Sequence, residues 1–196
     1  MIFITRAVLY VYFKLDLMRF WSRLHAWLFE RKTQEPLKRF EDLGKLVAYV
    51  KTLKWRPDTW RDLWDATSSI GAIQWRATYE PHKLIGDCDE FGRYSACVIR
   101  QELDNGGWAG FGIKESYLLT IMWKNITEST GHNVCLIEYW DGTFAYMDYG
   151  MPSVKRPTIE DVVADVRHRY NNSEFVGLAW AVSNPETLHC LGVALE

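Results

Sequence analysis

Cys88 lies in a short stretch, residues 86–91, whose composition fits a nucleophile at the start of a helix. Apolar residues follow it at helical spacing: Phe91, Tyr94, Val98 and Ile99. An Asn-Gly-Gly sequence from residue 105 ends this pattern, which predicts a helix over residues 88–103. The first N–H groups of a helix are unpaired and carry roughly half a positive charge, which stabilises a thiolate. Because the thiolate is the nucleophilic form of cysteine, the sequence predicts that Cys88 does chemistry.

Three carboxylates, those of Asp87, Asp89 and Glu90, stand beside this thiol. Negative charge disfavours ionisation of a cysteine, so a protonated histidine or a bound cation must outweigh it. Acidic oxygens are also the ligands that Ca²⁺ prefers. Two interpretations stay open: the three acids bind calcium, or they only cap and solvate the helix start.

A nucleophilic cysteine needs a base within hydrogen-bond reach and a third group that orients this base. Two apolar runs, residues 134–140 and 144–149, flank an Asp-Gly pair and predict a β-hairpin. Among the five histidines, His132 stands at the start of the first strand, and Asp148 closes the second strand. These two residues are therefore the candidate base and the candidate orienting carboxylate.

The register of the hairpin decides whether His132 and Asp148 meet. A two-residue turn would place them on opposite faces of the sheet. A three-residue loop, residues 140–142, puts Gly142 in the left-handed conformation that glycine favours. It pairs Tyr139 with Thr143, Val134 with Asp148 and His132 with Gly150. His132 and Asp148 then become diagonal neighbours on one face, roughly 7 Å apart, so we predict the three-residue loop.

The first 32 residues combine basic and apolar residues at helical spacing and predict a helical extension. Their longest apolar run, residues 7–13, is far too short to cross a bilayer, and no cleavage-site pattern indicates a signal peptide. A helix that is apolar on several faces needs cover. Three covers stay open: the rest of the domain, a partner subunit, or a membrane surface, which a basic and Trp-rich helix can bind.

Three segments are predicted between this extension and the cysteine. A second amphipathic helix starts at Leu37, carries Phe40, Leu43, Val47 and Val50, and ends near Trp55. Asp58 is placed to cap a short helix that contains Trp60, Leu63 and Trp64. Residues 72–85 give no regular pattern and predict an irregular loop that leads to Cys88.

Alternation predicts a strand at residues 116–123, after the cysteine helix. Thr158, with Asp161 three residues later, resembles a capping box before a helix with apolar positions at Ile159, Val162, Val163 and Val166. Residues 175–182 predict a last strand, and the chain after Pro185 gives no prediction.

The composition describes a globular protein: 196 residues, 48% hydrophobic and 24% charged. A net charge of −2 gives no general reason to expect nucleic acid as a partner. Cys97, Cys135 and Cys190 are widely scattered and match no zinc spacing, so we predict reduced thiols buried as small apolar residues. This cysteine usage favours a reducing, cytoplasmic compartment.

Three blocks of this sequence resemble those of the transglutaminase-like cysteine proteinases, members of the papain-like superfamily. The blocks are Gly-Asp-Cys-Asp-Glu-Phe at 86–91, Gly-His-Asn-Val at 131–134 and Tyr-Met-Asp at 146–148. Their order and their helix-then-hairpin setting match that family. Residues 74–78 also resemble a Trp-Ala-Thr-Pro segment of bacterial members, with Arg76 inserted and Tyr79 in place of proline. The resemblance covers residues 55–152, about half of the chain.

This resemblance implies a catalytic triad of Cys88, His132 and Asp148, with the first two forming a thiolate–imidazolium pair. The oxyanion hole would use the backbone N–H of Cys88 and a donor from Gln74 or Trp75. His82 is taken as a surface residue. Some bacterial relatives bind Ca²⁺ through acids beside the cysteine, a role that Asp87, Asp89 and Glu90 are able to imitate.

The predicted fold is α+β, with a papain-like or transglutaminase-like core in residues 37–196 and a helical extension in residues 1–36. In this core a nucleophile-bearing helix packs on an antiparallel sheet. The predicted function is thiol-dependent hydrolysis of an amide bond in a protein or peptide, with no required cofactor and calcium optional. Transglutaminase-type transfer is less favoured because no amine subsite is identified. Two alternatives stay open: a structural or membrane-associated component on the same fold, of a kind found in phages and bacteria, and a peptidoglycan hydrolase.

Overall fold

The computed structural model describes residues 2–30, 35–55, 68–80, 82–124, 129–170 and 176–196. The helices are α1 (Ile2–Lys14), α2 (Leu17–Phe29), α3 (Leu43–Val50), α4 (Ile70–Tyr79), α5 (Cys88–Asp104) and α6 (Ile159–Tyr170). The strands are β1 (Lys54–Trp55), β2 (Leu84–Gly86), β3 (Ile113–Lys124), β4 (Ser129–Tyr139), β5 (Phe144–Asp148), β6 (Met151–Pro152), β7 (Val176–Ser183) and β8 (Cys190–Leu195). The fold is mixed α+β, as predicted.

Six of these strands form one antiparallel sheet in the order β6-β5-β4-β3-β7-β8. The remaining two, β1 and β2, pair in parallel beside the start of α5. The sheet brings β4 and β5, which carry the predicted histidine and aspartate, next to each other.

Helix α5 packs on one face of this sheet. Its apolar stripe lies in a buried cluster with residues of β4, β5, α3 and α4: Phe91, Tyr94, Val98, Ile99, Cys135, Ile137, Met147, Leu46 and Ile73. This stripe is the one that the helical spacing predicted. The sheet therefore supports α5 along its length and fixes where its first residue, Cys88, lies.

Helix α6 covers the opposite face. Val162, Val163 and Val166 pack there against Leu119, Leu136 and Tyr146 of the sheet. Successive side chains of a strand point to opposite faces, so the residues of β4 alternate between the α5 side and the α6 side.

The β4–β5 connection confirms the predicted three-residue loop. The Tyr139 N–H donates to the Thr143 carbonyl at 2.9 Å, and Gly142 has a φ of 80°, in the left-handed region. The ladder pairs Cys135 with Met147 and Glu138 with Phe144. Carried one pair further, this register places Val134 opposite Asp148, as predicted. The predicted pairing of His132 with Gly150 is wrong, because Tyr149 and Gly150 have φ of 47° and 76° and turn the chain into β6, where Asp148 pairs with Met151.

The N-terminal extension is two helices rather than one. Asp16 adopts a left-handed conformation, with φ 52°, and separates α1 from α2. The extension contacts the rest of the protein at several points: Arg6 donates to the Gly177 carbonyl at 2.8 Å, and Met18 lies in a buried cluster with Leu118 and Leu188. Among the described residues, none of the helices is long and apolar enough to cross a membrane.

The prediction of an irregular loop over residues 72–85 is wrong, because this stretch holds most of α4 and the first two residues of β2. Ser69 caps the start of α4: its hydroxyl accepts the N–H of Ala72 at 3.3 Å. Its buried side includes Gln74, and this polar residue hides the apolar stripe that spacing would otherwise reveal.

Other boundaries also differ from the predictions. Helix α3 starts at Leu43 rather than Leu37, because the Asp42 side chain caps it by accepting the Lys45 N–H at 2.7 Å. The chain after Pro185, for which nothing was predicted, forms β8. The predicted short helix with Trp60, Leu63 and Trp64 lies outside the described residues. Three further predictions are confirmed within the described residues. The strand at 116–123 is β3, the helix after Thr158 is α6, and the strand predicted at 175–182 is β7.

Candidate active site

Cys88 is the first residue of α5, as the sequence predicts. Asp87 caps this helix: its side chain accepts the Asp89 N–H at 2.9 Å, while the Glu90 carboxylate accepts the Asp87 N–H at 3.1 Å. This reciprocal capping box holds the first turn in place. The Cys88 side chain is half-buried and donates to Asp89 Oδ1 at 3.7 Å.

Glu90 also ties the preceding chain to this turn. Its other carboxylate oxygen accepts the Ser68 N–H at 3.0 Å, and the Arg76 guanidinium lies 3.9 Å away. Gly86 makes the arrangement possible, because it has a φ of 149° and a Cβ there would collide with the Glu90 side chain. Both oxygens of Glu90 are therefore used in holding the first turn of α5.

His132 and Asp148 meet directly. His132 Nε2 lies 2.9 Å from Asp148 Oδ1, and both residues are buried, at 6% and 2% exposed. An ionised carboxylate only accepts hydrogen bonds, so the neutral His132 ring carries its proton on Nε2. This leaves Nδ1 as the unprotonated nitrogen, which is able to accept a proton from a thiol.

The second oxygen of Asp148 is also occupied. Tyr170, the last residue of α6, donates its hydroxyl to Asp148 Oδ2, and the Arg169 guanidinium lies 3.5 Å from the same oxygen. The Tyr170 ring also contacts the His132 ring, with centroids 4.2 Å apart. The end of α6 therefore encloses the histidine–aspartate pair from the α6 side of the sheet.

Asn133 links the neighbour of the histidine to the neighbour of the cysteine. It follows His132 on β4, faces α5, and donates its side-chain amide to Asp89 Oδ1. The side-chain carbonyl oxygen of Asn133 accepts a hydrogen bond from the Thr120 hydroxyl. The first turn of α5 is thereby bonded to β4 at the position next to His132.

Tyr149 makes a second link between the two halves of the site. Its ring centroid lies 4.8 Å from that of Phe91 on α5 and 5.6 Å from that of His132. Burial raises the pKa of Tyr149, and the charges of Cys88 and Asp148 raise it further. One phenol therefore lies in the electrostatic field of both the thiol and the carboxylate. A direct contact between Cys88 and His132 stays a prediction.

The close approach of α5 to the sheet depends on Gly92, one turn after Cys88. A Cβ at this position would lie 3.2 Å from the Val134 carbonyl carbon and 3.0 Å from a Leu118 methyl group. The missing side chain lets the first turns of α5 lie directly on β3 and β4.

Of the two predicted oxyanion residues, Gln74 is buried and used elsewhere. Its side-chain oxygen accepts the Lys38 N–H at 3.0 Å and the Tyr94 hydroxyl at 2.9 Å, and its amide donates to Thr78 at 2.9 Å. Within α4 the backbone N–H of Gln74 and of Trp75 donates to the carbonyl four residues earlier. The indole N–H of Trp75 is the donor that stays a prediction. His82 is exposed, as expected of a surface residue.

The acids beside the cysteine fit a calcium ion poorly. One donor atom each from Asp87, Cys88 and Asp89 lies within 4.8 Å of the others. Calcium takes six to eight oxygen ligands, whereas a thiol is a soft ligand and both Glu90 oxygens already accept backbone N–H groups. The mechanism proposed below therefore uses no calcium, and calcium binding stays a prediction.

Four residues of this site were not singled out in the sequence: Tyr149, Asn133, Arg169 and Tyr170. A signal exists for Tyr170, which lies four residues after Val166 and continues the apolar stripe of α6 to the end of the helix. Because α6 packs on the His132 face, that stripe leads to the histidine.

No protein-family model matches the chain, and no curated protein matches it at a significant level. The fold and the site define a mixed α+β protein whose antiparallel sheet carries a buried histidine–aspartate pair on the α6 face, and whose Asn133, next to this histidine, is bonded to the first turn of the helix that starts at Cys88. Membership of the transglutaminase-like proteinases stays a prediction from the three sequence blocks.

Proposed function

We propose that the protein is a thiol-dependent hydrolase that cleaves an amide bond through Cys88, His132 and Asp148. The observation that carries this proposal is the buried 2.9 Å contact between His132 Nε2 and Asp148, at the end of the sheet where α5 starts. A buried carboxylate that orients an imidazole is the arrangement a general base requires. It is also the arrangement that resemblance to the transglutaminase-like cysteine proteinases implies.

In the first half of the reaction, His132 Nδ1 takes the thiol proton and the Cys88 thiolate attacks the substrate carbonyl carbon. The new oxyanion is stabilised by the Cys88 backbone N–H, with the Trp75 indole N–H as the candidate second donor. The C–N bond then breaks, and the imidazolium gives its proton to the leaving amine. A thioester on Cys88 remains.

In the second half, His132 takes a proton from water, and the resulting hydroxide attacks the thioester carbonyl. The C–S bond breaks, the acid product leaves, and the thiolate–imidazolium pair is restored. Asp148 stays ionised throughout and holds the imidazole in one orientation. Hydrolysis is favoured over transfer to an amine because transfer needs a separate amine subsite. Protein segments, isopeptides and peptidoglycan cross-links are the candidate substrates.

The pH dependence of iodoacetamide alkylation at Cys88, measured by mass spectrometry, tests this function. A thiolate paired with an imidazolium reacts well below pH 8, so we expect fast alkylation of Cys88 there and its loss in His132→Ala. The measurement is made with and without Ca²⁺, and we expect calcium to make no difference.

The other thiols of the protein are internal controls for this experiment. Burial raises the pKa of Cys97 to about 12 and raises that of Cys135 as well. A raised thiol pKa leaves little thiolate, so both should stay unmodified below pH 8. If Cys88 alkylates only in the range of an ordinary thiol, the hydrolase proposal is wrong.

A second candidate function is a structural or membrane-associated component built on this fold. The observation that favours it is the exposed apolar surface of α1, α2 and the turn between them, where Val8, Phe20 and Leu15 are 61%, 56% and 64% exposed. Residues 8–28 hold eight exposed large apolar side chains, and a surface this rich in exposed apolar groups commonly indicates an interaction site. The two functions are compatible, since this surface is formed by helices that precede the site.

A further inference from the structure

Tyr170 joins both members of the histidine–aspartate pair. Its hydroxyl donates to Asp148 Oδ2, the oxygen that His132 does not use. Its ring lies on the His132 ring, with centroids 4.2 Å apart and planes inclined by 42°. One side chain therefore restrains the carboxylate by a hydrogen bond and the imidazole by ring contact.

Both restrained groups have a soft torsion. The terminal torsions of aspartate and histidine are broad, so neither ring nor carboxylate is fixed by its own rotamer preference. Without the Tyr170 hydroxyl, Oδ2 would keep only the Arg169 guanidinium at 3.5 Å, and rotation of the Asp148 carboxylate toward this cation would lengthen the Oδ1 contact to His132. Burial at 2% exposure leaves little water to replace a lost donor.

The exposure and the hydroxyl of Tyr170 suit a role in orienting its neighbours better than a role in core packing. It is 42% exposed, so its burial contributes less to the core than that of the valines before it on α6. Burial and the hydrogen bond to Asp148 raise the pKa of Tyr170, so its hydroxyl keeps its proton and donates over the working pH range.

We propose that Tyr170 is a positioning residue: it fixes the Asp148 carboxylate and the His132 ring so that Nδ1 of His132 is presented to the thiol. This inference rests on the proposed function, and it predicts which imidazole tautomer the protein holds. The Arg169 guanidinium stays beside Asp148 in Tyr170 variants, so these variants change the orientation of the carboxylate and not the charge of its surroundings.

The test is ¹⁵N NMR of the His132 ring in full-length protein carrying Cys88→Ala, which makes the readout independent of catalysis. His132→Gln identifies the signals. In the parent we expect the Nε2–H tautomer to dominate. In Tyr170→Phe, which keeps the ring but loses the hydroxyl, we expect the ratio of Nε2–H to Nδ1–H to fall about fivefold, in line with the net effect of one hydrogen bond.

Tyr10→Phe is the matched control, because Tyr10 is 39% exposed and lies on α1. It should leave the His132 signals unchanged. An unchanged tautomer ratio in Tyr170→Phe would show that Tyr170 only packs, and would overturn the inference whatever the activity. Failure of the hydrolase proposal looks different: Cys88 of the unmodified protein alkylates as an ordinary thiol while the tautomer ratio still responds to Tyr170→Phe.

Discussion

At the scale of single residues, the proposed hydrolase has to form its Cys88 thiolate beside negative charge. Asp89 is buried, at 5% exposed, and its Oδ1 lies 3.7 Å from the Cys88 sulfur. The side-chain amide of Asn133 donates to that same oxygen. A hydrogen bond to a carboxylate spreads its charge and lowers the field that it exerts on the thiol. In the proposed hydrolase, Asn133 would therefore act on Cys88 through Asp89.

Replacing this donor should make Cys88 less reactive. In Asn133→Leu we expect alkylation of Cys88 to move to higher pH, because the Asp89 charge is no longer shared with the amide. Loss of a buried hydrogen bond to a charged group should also lower the free energy of unfolding by about 1–3 kcal/mol. Chemical denaturation and the alkylation profile measure the two effects.

Thr120→Val is the control for Asn133→Leu. It removes the hydroxyl that donates to the Asn133 carbonyl oxygen but leaves the amide that donates to Asp89. This variant should lose stability with little change in the alkylation profile. If Asn133→Leu and Thr120→Val give the same profile, the amide has no electrostatic effect on the thiol.

At the scale of elements, the contact of α5 with the sheet sets where the cysteine lies. Gly92→Ala tests this contact. Alanine improves helix propensity by about 1 kcal/mol, but crowding against the backbone of Val134 costs about 1–3 kcal/mol. We expect the cost of crowding to exceed the gain in propensity. A net loss of about 1 kcal/mol in the free energy of unfolding would lower the melting temperature by roughly 2–4 °C.

Gly110→Ala controls for the chemistry of the substitution, since no atom lies within 4 Å of a Cβ at that position. Its melting temperature should stay close to that of the unmodified protein. A Gly92→Ala protein that melts at higher temperature would mean that α5 has room to shift, and that the glycine does not set its distance from β4.

The sequence predicted elements best where one periodic pattern dominated. The stripe of α5 and the alternation of β3 are regular, and the loop at Gly142 needs a left-handed residue, so spacing and turn chemistry were sufficient. The same loop fixed the register that joins His132 to Asp148. Helix α4 was not predicted because its buried side carries the polar residue Gln74, whose hydrogen bonds to Lys38 and Tyr94 form only on folding.

The apolar stripe of α6 indicates that Tyr170 faces inward, but the contacts of Tyr170 and Arg169 with Asp148 could not be predicted from the sequence. Tyr170 and Arg169 end a helix that follows β5 by some ten residues, and only packing of α6 on the sheet brings them to the carboxylate. Spacing predicts which side of a helix is buried, but not which polar group lies at its end.

At the scale of the whole molecule, the N-terminal helices are tied to the domain by buried polar groups. The Arg93 side chain, on α5, donates to the carbonyls of Pro185, Ser68 and Glu186 and reaches the hydroxyl of Ser22 on α2. Asp16, between α1 and α2, accepts the Cys190 N–H at 2.8 Å. The predicted boundary at residue 36 stays a prediction, and deleting α1 and α2 would remove partners of these groups as well as the exposed surface.

Surface substitutions therefore test the N-terminal helices better than truncation does. We expect the triple variant Val8→Ser/Leu15→Ser/Phe20→Ser to keep the Cys88 alkylation profile, because these side chains are exposed and lie outside the site. If α1 and α2 form an interaction surface, the same variant loses binding to vesicles that contain anionic lipid, or loses self-association, measured by co-sedimentation and light scattering.

Trp140→Ser/Val154→Ser is the control for a general loss of surface hydrophobicity, since these residues are 71% and 66% exposed and belong to the β4–β5 hairpin loop and the chain after β6. It should leave association unchanged. If the unmodified protein neither associates nor binds vesicles, the structural function has no support from this surface. If both variants lose association equally, the effect belongs to exposed apolar groups in general and not to α1 and α2.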